Sequence, residues 1–575
     1  MVEESAVPNE AASTGEGSGG PRMRTAVVVV VAQAAAFAYA LRAPDLIQNA
    51  LGYMVAPALA FLILSIWWLR SKTVARRDRL NGFALIILLA ILVSALPGAG
   101  AGQLLPYAAP VVLIGVVALL AATSSLAWPR RKGLVLLYLI ACGAFFSLLR
   151  VDDVGGDLMP ITAWRWEPYI GEWTDVADAS GTAAIPAAAG PSDWPEFRGT
   201  ARDNRLAGVT FATGWTATPP REIWRTRVGL GWSSFTVVGD YFFTQEQRDR
   251  AELIVCYEAD TGEQIWTNKT SDRFNDSTGD GPRATPTFYE GELYVLGATG
   301  LLQRLEPASG KTLWTHDLKD DAKAKIPRWG FASSPLVVGD LVVVFAGGPD
   351  GKSVLAYQRD SGDIEWASGD GTHAYSSIQR ATIAGVDQLL STSNVGIQAF
   401  VPETGQLLWT HQWPINTNPR CVQPLVADEN SILIGTAGGK GTRRIRVDHA
   451  NNAWDVNEEW TTRDFKPYFN DFVYHNGYCY GFDGKRFTCI DAATGERMWK
   501  GGGYGGQVLL LPDMETLLVL SEKGDIVLLE ASSDGENVLE KFKVLDGKTW
   551  NHPVIANGRL FVRNAREMAC FELPA

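Results

Sequence analysis

Apolar positions are distributed along this chain in two incompatible ways. Five runs, 25–41, 51–69, 80–97, 104–128 and 133–149, are almost uninterruptedly apolar, and each approaches the roughly 17 to 25 residues that a helix needs to cross a bilayer core. Helices of a soluble bundle would carry polar stripes between the apolar ones, and these runs do not. Beyond residue 193 the apolar residues come instead in short strands separated by turn residues. Tight turns fall at Gly239-Asp240, Glu290-Gly291, Gly339-Asp340, Ala384-Gly385, Asp428-Glu429, Asn476-Gly477, Pro512-Asp513 and Asn557-Gly558. Glycine and Asx residues supply the positive φ such hairpins need. A second set of marks recurs with a period of about 45 residues: a Gly-containing turn followed four residues later by tryptophan, from Gly262 to Trp266, Gly310 to Trp314, Gly362 to Trp366, Gly405 to Trp409 and Gly495 to Trp499. Degenerate copies at Trp460 and Phe542 and a leading strand at Trp224 bring the aromatic positions to eight, the number of the tight turns. Each unit reads as four antiparallel strands. The last, 550–573, has strands for only three, and 221–228 supplies the fourth, which closes a ring and leaves few exposed edges. The predicted fold is an eight-bladed β-propeller preceded by an α-helical transmembrane region.

Charge divides the chain the same way. Residues 1–150 hold 12 Lys and Arg against 6 Asp and Glu, so the remaining 425 hold 39 against 57, a balance of −18. That excludes a nucleic-acid partner for the larger part, because such binding neutralises phosphates with basic side chains. The acidic surface serves solubility. In the first part the basic residues cluster: Arg22 and Arg24, then Arg70, Lys72, Arg76, Arg77 and Arg79, then Arg130, Arg131 and Lys132. Lys and Arg in short loops stay on the cytoplasmic side, and all three clusters share a side if every run spans. The sequence therefore predicts a multi-pass protein of the bacterial inner (cytoplasmic) membrane with everything after Arg150 on the periplasmic, extracytoplasmic side. Cleavage after Ala38-Tyr39-Ala40, a small-x-small site, would remove the first run and leave that placement unchanged. No acidic residue or histidine lies within a run, so anchoring is the role assigned to the helices. The expected domains are a disordered cytoplasmic tail at 1–21, a membrane anchor at 22–150, a linker at 151–192 and the propeller at 193–575.

Six cysteines, at 142, 256, 421, 479, 489 and 570, form no C-x-x-C and no adjacent pair, so they indicate neither a zinc site nor a disulfide framework. Cys256 and Cys489 each lie six residues before a repeat glycine, which makes them equivalent buried strand positions. Cys479 and Cys489 are expected to face each other across a hairpin turning at Asp483-Gly484, where an oxidising compartment would permit a bridge.

The segments 258–266 and 491–499 resemble the tryptophan-docking repeat of PQQ-like (pyrrolo-quinoline quinone) β-propellers, and Asp193-Trp194-Pro195-Glu196-Phe197-Arg198-Gly199 is similar to the opening motif of bacterial proteins of that family. The resemblance covers about residues 193–575 and implies a quinoprotein dehydrogenase-like propeller. The family contains both quinoprotein dehydrogenases and scaffolds such as BamB. The docking tryptophans it implies are Trp224, Trp266, Trp314, Trp366, Trp409, Trp460 and Trp499.

In a propeller the residues leading into each innermost strand line the mouth of the central channel. Aligning the repeats places Trp232, Arg283, Trp329, Tyr375, Arg420, Asn470, Asp471, Asn551 and His552 there, with Arg328 beside Trp329, Asn418 leading the same strand as Arg420 and Trp550 beside Asn551. Serine and threonine pairs recur at these strand starts, and crowding of the inner ring accounts for them. Guanidinium pairs carboxylates and indole offers a stacking face, so the mixture suits an anionic, planar or peptide ligand. Quinoprotein enzymes of similar fold hold PQQ against a tryptophan, bind calcium through carboxylate and amide oxygens and use an aspartate as base. Here only Asp471, Asn470 and Asn551 offer such groups, and the adjacent-cysteine pair of many relatives is absent. No catalytic residue, metal site or cofactor is therefore assigned. The expected function is a membrane-anchored, extracytoplasmic scaffold of the BamB kind that binds envelope proteins or a small ligand. The alternative is a PQQ-dependent membrane dehydrogenase that uses calcium and passes electrons to quinone; five helices followed by an outward propeller resemble the membrane-bound quinoprotein glucose dehydrogenases.

Overall fold

The computed structural model describes residues 21, 23–42, 46–95, 104–155, 158–167, 181–215, 217–276, 278–416, 420–436 and 439–574. They fall into two compact units, 1–168 and 169–575. Residues 1–20 of the expected tail at 1–21, and residues 168–180 in the centre of the expected linker, lie outside the described residues.

The first unit is a helical bundle followed by a small hairpin. Its helices are Arg24–Ala40, a helix that passes through the π turn Leu51–Val55 into Ala56–Arg70, then Arg76–Ser94, Leu105–Ala122 and Trp128–Leu148. Three of these, Gln48–Arg70, Leu105–Ala122 and Trp128–Leu148, are long and apolar enough to cross a membrane. Arg24–Ala40 is apolar but has only 17 residues, and Arg76–Ser94 opens with Arg76, Arg77, Asp78 and Arg79. Two of the basic clusters meet at one end of the bundle, where Asp78 accepts a hydrogen bond from the Trp128 indole at 2.7 Å and pairs with Lys132 at 3.2 Å. The stretch after Arg150 is not extended linker from its start: Leu149–Val154 pairs antiparallel with Pro160–Trp164.

The second unit is the propeller, eight sheets of four antiparallel strands. Blades 1 to 7 follow in chain order, from Thr236–Val238 at the axis of blade 1 to Val538–Lys543 at the rim of blade 7. Blade 8 takes three strands from 554–572 and its outermost from Arg221–Arg227, in the register Arg221↔Glu572, Trp224↔Cys570 and Arg227↔Glu567. The ring thus closes on its own first strand. All eight predicted tight turns join the first two strands of a blade, and Glu290, Ala384, Asn476 and Asn557 take the positive φ that these hairpins require.

The tryptophan repeat couples neighbouring blades. Trp224 lies against Gly262 of blade 1, Trp266 against Gly310 of blade 2, Trp314 against Gly362, Trp366 against Gly405 and Trp460 against Gly495. Each glycine sits at positive φ and lets an indole approach where a Cβ would collide. The indole N–H groups of Trp224, Trp266, Trp314, Trp366 and Trp499 donate to carbonyls of the next blade's turn, at 2.9 to 3.1 Å. Trp409 departs from the pattern: the next turn is Asn451-Asn452, without glycine, and its indole donates to Gln388 within its own blade at 2.7 Å. In all eight sheets a β-bulge falls beside the docking position. In blade 7 that position belongs to Glu540, opposite Leu528, and not to Phe542. Trp215 compensates there, donating its backbone N–H to Glu540 at 3.1 Å and packing on Phe542.

The cysteine register also corrects the expectation. Cys479 pairs with Ile490 and Cys489 with Tyr480, so the two thiols point to opposite faces of blade 6. Both are buried and free. Cys256, Cys489 and Cys570 each stand opposite a docking tryptophan.

Candidate functional site

Three tiers of residues fill the channel of the propeller. The middle tier is a hydrogen-bonded belt built from one equivalent residue per blade. Ser234 N–H donates to Thr285 Oγ1 at 3.0 Å, Thr285 N–H to Ser334 Oγ at 2.9 Å and Ser334 N–H to Ser377 Oγ at 2.9 Å. Ser377 N–H donates to Gln423 Oε1 at 3.1 Å, Gln423 N–H to Asp471 Oδ1 at 2.8 Å and Asp471 N–H to Gln507 Oε1 at 3.4 Å. Gln507 reaches the Trp550 carbonyl at 3.1 Å, and Ser234 Oγ closes the circle on the His552 carbonyl at 2.8 Å. These backbone groups sit where no sheet partner exists, and the side chains of the next blade satisfy them. Asp471 and His552 belong to this belt.

Below the belt the channel is plugged by the segment 193–206, the resemblance motif and its continuation. It forms bridges from Trp194 to Val237 of blade 1 and from Arg205 to Leu510 of blade 7. Phe288 N–H of blade 2 donates to the Pro195 carbonyl at 2.8 Å, and Arg202 donates to the carbonyls of Ser334 and Pro335 at 3.0 Å. The Arg198 guanidinium lies 3.3 Å from Asp471, and both side chains are buried. The Asn204 amide lies 3.3 Å from His552 Nδ1, with the Phe197 ring edge-on to that imidazole. Burial raises the Asp471 pKa, opposed by Arg198 and by the Gln423 N–H. Burial and Arg198 together push His552 down to about 3, so its ring is neutral at physiological pH. Residues 181–192, expected as linker, also belong to the propeller: Gly181 and Ala183 donate to carbonyls of blades 1 and 2, and Ala183 is buried among their core residues.

Above the belt stands an aromatic collar. Trp232, Tyr375, Phe469 and Trp550 lie two residues before their belt residues. Trp232 meets Trp550 with centroids 5.0 Å apart, Trp550 meets Phe469 at 4.6 Å, Phe469 meets Tyr468 at 5.7 Å and Trp329 meets Tyr375 at 5.0 Å. Tyr468, which leads into blade 6, also touches Trp329, which leads into blade 3, at 6.1 Å, so the rings span the mouth. Lys548, from the loop before blade 8, sets its ammonium 3.7 Å from the Trp550 centroid and 4.7 Å from that of Trp232.

The nine predicted mouth residues therefore divide. Trp232, Trp329 and Tyr375 form the collar. Arg283 lies behind it, stacked on Phe274 and capping the carbonyls of Gly279 and Gly281; burial lowers its pKa, opposed chiefly by Glu252. Arg420 leaves the mouth altogether. Its guanidinium is fully buried between blades 4 and 5, 5.0 Å from the Trp413 ring that Arg443 also stacks on, and burial with Arg443's repulsion brings its pKa to about 9. Asn470 donates to the Gly506 carbonyl and Asn551 to that of Ser233. Asn418 lies outside the described residues. Trp550 also joins the collar, beside Asn551 and His552 as the repeats place it, whereas the collar members Phe469 and Tyr468 and the clamp Lys548 carry no repeat signal and are identified only by their spacing ahead of the belt positions.

Comparison with known families matches the description "Outer membrane protein assembly factor BamB" over residues 215–328 and 290–501. The chain belongs to the PQQ-like repeat family. This PQQ-like propeller is 22% identical over 392 residues to the outer membrane protein assembly factor BamB of Shewanella oneidensis, covering 62% of this chain and 89% of that protein. It is 30% identical over 170 residues to the quinoprotein alcohol dehydrogenase PedH of Pseudomonas putida, which covers 28% of this chain and 27% of that one. Among solved structures, the quinohemoprotein alcohol dehydrogenase of Comamonas testosteroni aligns with a TM-score of 0.46 at 13% identity, over 66% of this chain and 80% of that chain.

Quinoprotein relatives raise the question of PQQ and calcium, and the donor set answers it from the residues present. Calcium takes six to eight oxygens, carboxylates among them. Asp471 is the one carboxylate among the predicted mouth residues, and it is spent on Arg198 and the Gln423 N–H. Among the described residues no three His, Cys, Asp or Glu side chains gather as a metal site. The predicted mouth residues therefore do not fit a resident PQQ–calcium pair.

Proposed function

We propose that this chain is a membrane-anchored, extracytoplasmic β-propeller that acts as a binding scaffold, anchored by its N-terminal helices in the bacterial inner membrane and capturing an envelope protein or small ligand at the collared mouth. The observation that carries the reading is the use already made of the channel's polar groups. Asp471 and His552 are tied into a structural belt and met from below by Arg198 and Asn204, while Trp232, Trp329, Tyr468 and Trp550 above it remain part-exposed. Half-buried tryptophan and tyrosine are the side chains that anchor protein interfaces. The likeness to assembly factors named for outer-membrane proteins supports an envelope partner. A second reading, the PQQ-dependent dehydrogenase feeding quinone, is favoured by the local 30% identity to a quinoprotein alcohol dehydrogenase.

Photo-crosslinking in intact cells separates them. A photoreactive residue at Tyr468 is expected to yield an adduct with another polypeptide, and one at Leu313, exposed on the rim of blade 2, is expected to yield none. Recovery of uncrosslinked propeller from both positions would remove the scaffold reading.

A further inference from the structure

The mouth contains a cage that already holds a cation. Trp232 and Trp550 come from the two blades that meet at the closure of the ring, their planes inclined by 38°, and the Lys548 ammonium lies over both faces. An ammonium over an indole face is attracted by the ring's quadrupole, most strongly for tryptophan. Two features sharpen this cage. The Trp550 indole N–H donates to the Glu522 carboxylate at 2.9 Å, which feeds electron density toward the ring and deepens the negative face. Trp232 packs closely on Gly279, at φ +141, where any side chain would strike the ring.

The occupant is carried on a flexible stem. Lys548 follows Gly547, at φ +91 with open space where a side chain would stand. Its backbone neighbours are fixed independently: Asn564 donates to the Asp546 carbonyl at 2.9 Å and Thr549 N–H to that of Glu522 at 2.9 Å. The Lys548 ammonium itself rests on the Thr278 carbonyl at 2.6 Å. Rotation of one flexible side chain would therefore empty the cage while loop and indoles stay in place. The surrounding propeller, residues 193–575, holds 38 Lys and Arg against 50 Asp and Glu, a balance of −12, which attracts cationic partners and steers their approach.

We propose that the Trp232–Trp550 cage is a recognition site for a lysine or arginine side chain of a partner polypeptide, kept occupied in the free protein by Lys548. The proposal rests on the scaffold reading above and names the chemistry of its partner. A tethered lysine competes at high effective concentration, so an incoming cation binds only when the rest of its polypeptide adds contacts on the collar.

The test uses the full chain in lipid nanodiscs and a fluorescein-labelled tetralysine peptide read by anisotropy. Lys548→Gln is expected to tighten binding about tenfold, the equivalent of about 1.4 kcal/mol. Arg328→Gln removes the same charge from an exposed mouth position outside the cage and is expected to change affinity less than about twofold. Trp550→Phe in the Lys548→Gln background keeps an aromatic ring and is expected to lose most of the gain. A labelled tetraglutamate peptide is expected not to bind either protein. Equal tightening by Lys548→Gln and Arg328→Gln, an unchanged affinity in the Trp550→Phe variant, or no tetralysine binding to any variant would overturn the proposal. Crosslinking from Tyr468 reads partner capture whatever its charge. An adduct there without the Lys548→Gln gain would remove the ligand class alone, and loss of both would remove the scaffold reading as well.

Discussion

Gly262 is where the repeat, the docking tryptophans and the closure of the ring meet. Its φ is +71, and a Cβ there would lie 2.8 Å from the ring of Trp224, the tryptophan of the closing strand Arg221–Arg227. Gly262→Ala therefore imposes two costs. Holding a non-glycine residue in the left-handed region costs about 1 kcal/mol. Displacing Trp224, which is stacked on Phe242 at 5.6 Å and bonded to the Ala259 carbonyl at 2.9 Å, adds an overpacking cost of about 1 to 3 kcal/mol. Gly339 provides the control, with φ +58 and open space around an added Cβ, so Gly339→Ala should lose only the backbone part. Thermal unfolding of the full chain in detergent, followed by tryptophan fluorescence, should show Gly262→Ala losing about two to four times as much stability as Gly339→Ala. Equal losses would refute the argument that docking against glycine couples blade 8 to blade 1.

Arg198→Ala leaves Asp471 buried without its cation and should destabilise the propeller by about 3 kcal/mol, whereas Arg198→Ala combined with Asp471→Asn should recover part of the loss, read from the same melts as a double-mutant cycle. Glu252, fully buried with a carboxyl oxygen that has no hydrogen-bond partner, has its pKa pushed by burial up to about 7. The neutral acid is thus the form the fold prefers. Its stabilising contribution is complete below about pH 4.5 and is lost as pH rises toward and through 7, so the stability gap between Glu252→Gln and the natural protein should widen in favour of the variant from about pH 5 to about pH 8. A gap that does not change with pH would contradict this.

How much was legible follows from which physical signals are local. The blades were readable because each rests on turn residues a fixed distance from a tryptophan, and the closing strand because Trp224 precedes any complete unit. Phe542 was misplaced by two residues because an aromatic alone does not mark the bulge that fixes the docking position; Glu540 holds it. Cys479 and Cys489 were set opposite each other by counting from a hairpin tip, where a slip of one residue reverses the face. The plug at 193–206 has no periodicity, and its role emerges only from pairings such as Arg198 with Asp471 that span hundreds of residues. For the same reason Asp471 and His552 read as ligand groups when they are belt members, and Arg420 reads as a mouth residue although its side chain lies between blades. Charge at 76–79 marks off Arg76–Ser94 from the three helices that meet the length and hydropathy of a span.

The scaffold account is tested most directly by titrating the purified full chain with PQQ in the presence of calcium. With Asp471 committed to Arg198 and the belt, the account predicts no saturable change in the cofactor's absorbance and no dye reduction with alcohols or sugars. A stoichiometric spectral change accompanied by substrate-dependent dye reduction would contradict it.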